Sequence, residues 1–205
     1  MCTVTIAPLK AENSFVLTSN RDEAPGRETI PPKLYTTGGS KMAFPKDILA
    51  GGTWLGISEL KRVICLLNGG FKSHVRELPY GKSRGVVVTD LLAAEDFTEA
   101  AEKYELSEVE PFTIVAADWQ KELFFAELVW DGTKKHYKKL PLKPHIWSSS
   151  PLYSSKMKEL REHWFNALQE EQELTPEAVL DFHFSAGKGD KEQGVIMDRG
   201  FVKTR

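Results

Sequence analysis

Cys2 is the residue with the greatest chemical capacity, because of where it stands in the chain. Removal of Met1, which the small side chain of Cys2 permits, would leave one residue carrying both a thiol and a free α-amine. The reference pKa of such an amine is about 7.7–8.0 and that of the thiol about 8.5. The amine can therefore act as a general base near neutral pH, directly or through a water, while the thiolate attacks an acyl carbon. That chemistry needs donors for an oxyanion and charged groups that hold the amine. Two clusters offer them. In Asn20-Arg21-Asp22-Glu23, Asp22 can hold the ammonium or orient the amine, and Arg21 can lower the thiol pKa or bind a carboxylate. In Leu66-Leu67-Asn68-Gly69-Gly70, Asn68 ends an apolar run beside two glycines that permit close backbone approach, and its amide can donate to an oxyanion. The structural alternatives are a salt-bridged turn at 20–23 and a strand-end turn at 68–70.

The elements that must position these residues follow from periodicity. Residues 2–8 alternate and carry β-branched side chains, Ala11–Ser14 is a polar turn and Phe15–Thr18 a second strand, so a hairpin runs directly into residues 19–23. Residues 24–52, with four prolines and five glycines, predict irregular structure. Residues 52–58 and 62–67 predict a second hairpin that ends at Asn68. Helices are expected over 84–94 and, with Asp96 as N-cap, to Glu105. Phe112–Trp119, Leu123–Trp130 and residues 134–140 predict three strands, and Ile146–Ser150 a short one. Residues 155–172 form the clearest helix, with Met157, Leu160, Trp164 and Leu168 on one face and Lys158, Glu159, Arg161 and Glu162 on the solvated side. Thr175-Pro176 reads as N-cap and first residue of a helix to about Phe184. A loop over 185–194 and a final strand over 195–205 complete the chain. Strands, helices, strands, helices in that order favour α+β layers over a parallel βαβ sheet.

Composition limits the function classes. The 205 residues carry 27 Lys and Arg against 29 Asp and Glu, a net charge of −2, which gives no electrostatic reason to expect nucleic acid. Two cysteines, Cys2 and Cys65, are too few for a disulfide framework or a four-cysteine zinc site; Cys65, inside Val63–Leu67, is expected to be a buried apolar filler. No apolar run approaches the ~20 residues of a membrane span, and the start has no basic, apolar leader, so the expected compartment is the cytoplasm. Gly81-Lys82-Ser83 lacks the earlier glycine of a phosphate-binding loop, where Arg76 stands. Asp181-Phe-His183 is an isolated pair and His163 lies within the amphipathic helix, so no metal is expected. The basic run 134–139 reads as an edge strand kept from pairing by lysines.

Met1-Cys-Thr3, Ser19-Asn-Arg-Asp-Glu23, Gly51-Gly-Thr-Trp-Leu-Gly-Ile-Ser58 and Leu67-Asn68 together resemble the NRDE family, also called the transport and Golgi organisation protein 2 family. The resemblance implies one N-terminal-nucleophile (Ntn) hydrolase-like domain over residues 1–205, two antiparallel sheets packed face to face with helices outside, αββα. A more distant resemblance is to the cysteine Ntn amidases that cleave bile-salt conjugates and penicillin V, which implies Cys2, Asp22 and Asn68 as catalytic residues. In that comparison Ser19 stands at the place of their arginine, Ser149 at that of a second asparagine, and Arg199 and Arg205 are candidates for their late arginine. Asn20, Arg21, Glu23, Trp54 and Ser149 are the expected substrate contacts. The expected function is hydrolysis of a linear amide of a small molecule, without a cofactor. The family resemblance also implies an alternative, a non-catalytic carrier of haem or another lipophilic ligand in the same pocket.

Overall fold

The computed structural model describes residues 3–75 and 80–204. In chain order the elements are β1 (Thr3–Pro8), β2 (Phe15–Ser19), β3 (Asp22–Glu23), β4 (Thr29–Thr37), β5 (Ser40–Asp47), β6 (Leu55–Ser58), β7 (Arg62–Asn68), α1 (Arg84–Ala93), α2 (Phe97–Lys103), β8 (Phe112–Asp118), β9 (Phe124–Trp130), β10 (Lys135–Leu140), β11 (His145–Ser148), α3 (Ser155–Glu171), α4 (Pro176–Ser185) and β12 (Lys203–Thr204). The chain divides into two compact units. One comprises the described residues up to Gly26 together with those from Leu142 onward, the other Arg27–Pro141.

In the first unit β1 is the central strand of an antiparallel sheet in the order β11-β1-β2. Both faces of β1 are covered: Val4 and Ile6 are fully buried on one side, Thr3 and Thr5 on the other. Helix α3 packs against β11 and α4 against β2, around a core of Phe165, Phe182 and Val195. Each helix begins on a side-chain cap. Ser154 accepts from the Met157 amide and Thr175 from the Ala178 amide, with Pro176 as the first helical residue. A two-stranded ribbon, β3 with β12, pairs Asp22 with Thr204 and Glu23 with Lys203.

The second unit is an antiparallel meander, β10-β9-β8-β7-β6-β5-β4, with α1 packed over β5, β6 and β7 and α2 against β10. The lysine-rich β10 forms one edge, as its composition predicts. The glycines of the 51–58 string serve packing. A Cβ at Gly52 would lie 2.8 Å from the Gly85 Cα, and one at Gly56 2.7 Å from Leu92 Cδ1, so these positions let α1 approach the sheet at backbone distance. Fully buried Arg62 on β7 fixes the other end of α1. Its Nε donates to Asp118 Oδ2 at 2.7 Å, and its Nη1 donates to the carbonyls of Leu91 and Ala94 at 2.8 and 2.7 Å. These are carbonyls that the end of a helix leaves without intrahelical partners.

Three expectations are corrected. Residues 24–52 are not irregular: β4 and β5 form a long hairpin. Gly38 and Gly39, at φ 58° and 81°, make the two-residue turn between Thr37 and Ser40. Its prolines sit where a sheet tolerates them. Pro31 and Pro32 lie on the edge strand, where the register shifts between Ile30 and Lys33, and Pro45 faces that irregularity. The final strand is only Lys203–Thr204, because residues 195–202 turn and bend first. Arg161 is not solvated; it is fully buried.

Candidate functional site

Strand pairing sets the arrangement. β1 and β2 pair Val4 with Ser19, and the Asn20 amide donates to the Thr3 carbonyl at 3.0 Å. The polar run 20–23 is therefore locked beside the start of β1. Cys2 itself lies outside the described residues, as do Arg76 and Arg205.

Asp22 is buried, and both carboxylate oxygens accept hydrogen bonds from hydroxyls distant in sequence. Tyr153 Oη donates to Oδ2, and Thr204 Oγ1 donates to Oδ1 at 2.6 Å. Thr204 is delivered by the β3–β12 ribbon, and its Oγ1 also accepts from the Met197 amide at 2.9 Å. Tyr153 stands just before the N-cap of α3, tied by its own amide to the Ser149 carbonyl at 3.2 Å. Burial and the neighbouring Asp22 charge push its phenol well above the ordinary tyrosine range, so it remains a donor.

Behind the ring lies Arg161, its guanidinium carbon 3.7 Å from the Tyr153 centroid. Its Nη1 donates to Thr3 Oγ1 at 2.8 Å, and its Nη2 to the carbonyls of Gly194 at 2.7 Å and Gln193 at 3.1 Å. The chain can present those carbonyls because Gly187 and Gly194 pack at backbone distance. A Cβ on Gly194 would meet the Gly187 carbonyl oxygen at 2.7 Å. One buried cation thus grips the residue that follows Cys2, the 193–194 loop and the face of Tyr153.

A second polar chain joins β1, the end of β2 and α4. His183 Nδ1 bonds to Asn20 Oδ1, the Asn20 Nδ2 donates to the His183 carbonyl at 2.9 Å, and His183 Nε2 bonds to Thr5 Oγ1 at 2.8 Å. Since Nδ2 is the donor of the Asn20 amide, Oδ1 must accept, so His183 Nδ1 carries a proton. Burial and the charge of Arg161 push the imidazole pKa down to about 3, which favours the neutral ring with Nε2 accepting from Thr5.

The other predicted residues are placed as follows. Arg21 is buried, with Nη2 3.6 Å from Glu23 Oε2. Ser149 is buried and directly precedes the turn at 150–152. Arg199 donates to the carbonyls of Glu192 and Leu152 at 2.7 and 3.1 Å. Asn68 and Trp54 belong to the second unit. Asn68 is the last residue of β7, before Gly69 at φ 81°, and the Trp54 carbonyl accepts from the Leu66 amide at 2.7 Å. Cys65 is fully buried in β7. Among the described residues no group of three or more His, Cys, Asp or Glu side chains could hold a metal, and no helix is long and apolar enough to cross a membrane.

Sequence reasoning missed Tyr153, Arg161, His183 and Thr204 as members of the cluster. For Arg161 a signal was present: it falls at i+4 from Met157 and i−4 from Phe165, within the stripe that α3 turns inward. For the other three no local pattern exists.

An ionised carboxylate accepts at both oxygens, and each Asp22 oxygen here takes a hydroxyl. The fold around it has known counterparts. The chain aligns with a Caenorhabditis elegans N-acylethanolamine-hydrolyzing acid amidase (NAAA) ortholog at 14% identity with a TM-score of 0.64, covering 93% of this chain and 89% of that one. It also aligns with a single-site variant of conjugated bile acid hydrolase from Clostridium perfringens at 14% identity and a TM-score of 0.52, covering 85% of this chain and 58% of the hydrolase. At such identities the likeness establishes the fold, an α+β Ntn-hydrolase fold. No curated protein matches the sequence. A family profile matches residues 1–197, and on that extent of agreement the chain belongs to the Transport and Golgi organisation 2 family.

Proposed function

We propose that the protein is an N-terminal-cysteine amidohydrolase acting on a linear amide of a small molecule. The observation that carries this reading is the buried Asp22 carboxylate, fixed by two hydroxyls and standing two residues after Asn20, whose amide bonds to Thr3 at the start of β1. The reading is further supported by the fold shared with amidases. With Met1 removed, the Cys2 thiol passes its proton to the α-amine and its sulfur bonds to the acyl carbon. Asp22 holds the ammonium so formed. As the tetrahedral species collapses, the C–N bond breaks and the leaving nitrogen takes the proton from the ammonium. Water then hydrolyses the thioester, releasing the carboxylic acid and restoring the thiol.

The test uses protein from its native host, first weighed intact, with a panel of N-acylethanolamines and bile-salt conjugates. The expected result is a mass short by one methionine, release of free amine, and loss of that release in Cys2→Ala. Quantitative retention of Met1, or equal turnover by Cys2→Ala, overturns the reading. A saturable Soret shift on titration with haemin, without turnover, would replace it with ligand carriage.

A further inference from the structure

We infer that Tyr153 and Thr204 are positioning residues that fix the orientation of the Asp22 carboxylate; this rests on the reading of Asp22 and Cys2 given above. Each hydroxyl takes one oxygen of the same carboxylate. Each is itself fixed from the far side: Thr204 by the Met197 amide and the ribbon register, Tyr153 by the Arg161 guanidinium against its ring. A carboxylate gripped at both oxygens is held against rotation about its Cβ–Cγ bond, so the plane of the carboxylate is fixed. Thr204 lies beyond residues 1–197, over which the family profile matches, so the matched segment by itself does not supply this contact. Arg161 adds a further link, since the same guanidinium also bonds to Thr3, the neighbour of Cys2. The carboxylate and the first described residue of β1 are thus referenced to one rigid group.

The experiment measures the rate at which iodoacetamide alkylates Cys2 at neutral pH, read by peptide mass spectrometry, in the wild type, Asp22→Asn, Tyr153→Phe, Thr204→Val and Thr204→Ser. Tyr153→Phe keeps the ring over Arg161 and Thr204→Val keeps the shape, so each removes one hydroxyl alone. The expected result is a drop of about three- to tenfold in Tyr153→Phe and Thr204→Val, the scale of one lost hydrogen bond. Thr204→Ser is expected within about twofold of wild type, because the donor is restored. Buried Cys65 serves as an internal control: new labelling there would mean general loosening and would overturn the positioning role. Wild-type rates in both hydroxyl variants, with a drop in Asp22→Asn, would overturn this inference and leave the proposed function standing. An unchanged rate in Asp22→Asn would instead remove Asp22 from the proposed mechanism.

Discussion

The guanidinium of Arg161 lies 3.7 Å from the centre of the Tyr153 ring, and the hydroxyl of that ring donates to Asp22. A buried cation and a buried anion are thus connected through one aromatic side chain. A desolvated cation–π contact is worth about 2 kcal/mol, and the carbonyls of residues 193 and 194 supply further partners for the charge. The start of β1, the 193–194 loop and the Asp22 anchor all meet on this residue.

Replacing Arg161 therefore exposes several mismatches at once. Arg161→Met is expected to destabilise the fold by about 3–5 kcal/mol, since it strands buried acceptors and uncouples the Asp22 charge. Arg161→Lys is not expected to restore it, because a lysine cannot donate along several directions while lying flat on a ring. Urea denaturation of the three proteins checks both outcomes.

His183 predicts a pH dependence of stability. Its pKa is about 3 when folded, against about 6.5 in an unfolded chain. Between those values the unfolded state binds the extra proton. Stability contributed by the neutral imidazole is therefore present above about pH 6.5 and is lost as pH falls from about 6.5 toward 3. The slope is at most about 1.4 kcal/mol per pH unit from this one group. His183→Gln should be less stable near neutral pH yet lose less on acidification, which denaturant midpoints from about pH 4 to about pH 7.5 will reveal.

The glycines where α1 meets the sheet predict intolerance of a single methyl group. Gly85→Ala would place a Cβ 2.7 Å from the Thr53 amide nitrogen, and Gly56→Ala one 2.7 Å from Leu92 Cδ1. Both should cost about 1–3 kcal/mol. Gly56→Ala should cost the less of the two, since a leucine tip can yield and backbone cannot. Thermal denaturation orders them.

Arg62 and Asp118 predict asymmetric double-mutant behaviour. Arg62→Met alone leaves a carboxylate buried without its cation and frees two carbonyls at the end of α1, for a loss of about 3–5 kcal/mol. Adding Asp118→Asn should recover part of that loss, because the uncompensated charge is gone while the helix-end carbonyls remain unmet. A four-point urea cycle measures the recovery.

Elements with local signals were legible in the amino-acid order. The β1–β2 hairpin, the caps Asp96 and Thr175, the meander strands and the lysine edge all follow from periodicity, cap chemistry and turn residues within a few positions of one another. The string 51–58 marked the family before any fold was known, and the structure shows its glycines to be packing positions for α1. The prolines of 24–52 concealed a hairpin, because a proline is compatible with a strand only at an edge or an irregularity, and edges exist only once a sheet is assembled. Asp22 stood out as chemistry-bearing from its neighbours alone. Its partners could not. Tyr153 and Thr204 lie 131 and 182 residues away along the chain, and a hydrogen bond at that separation leaves no trace in local spacing. Folding alone selects them, because burying a carboxylate is tolerable only where the assembled chain brings donors to it.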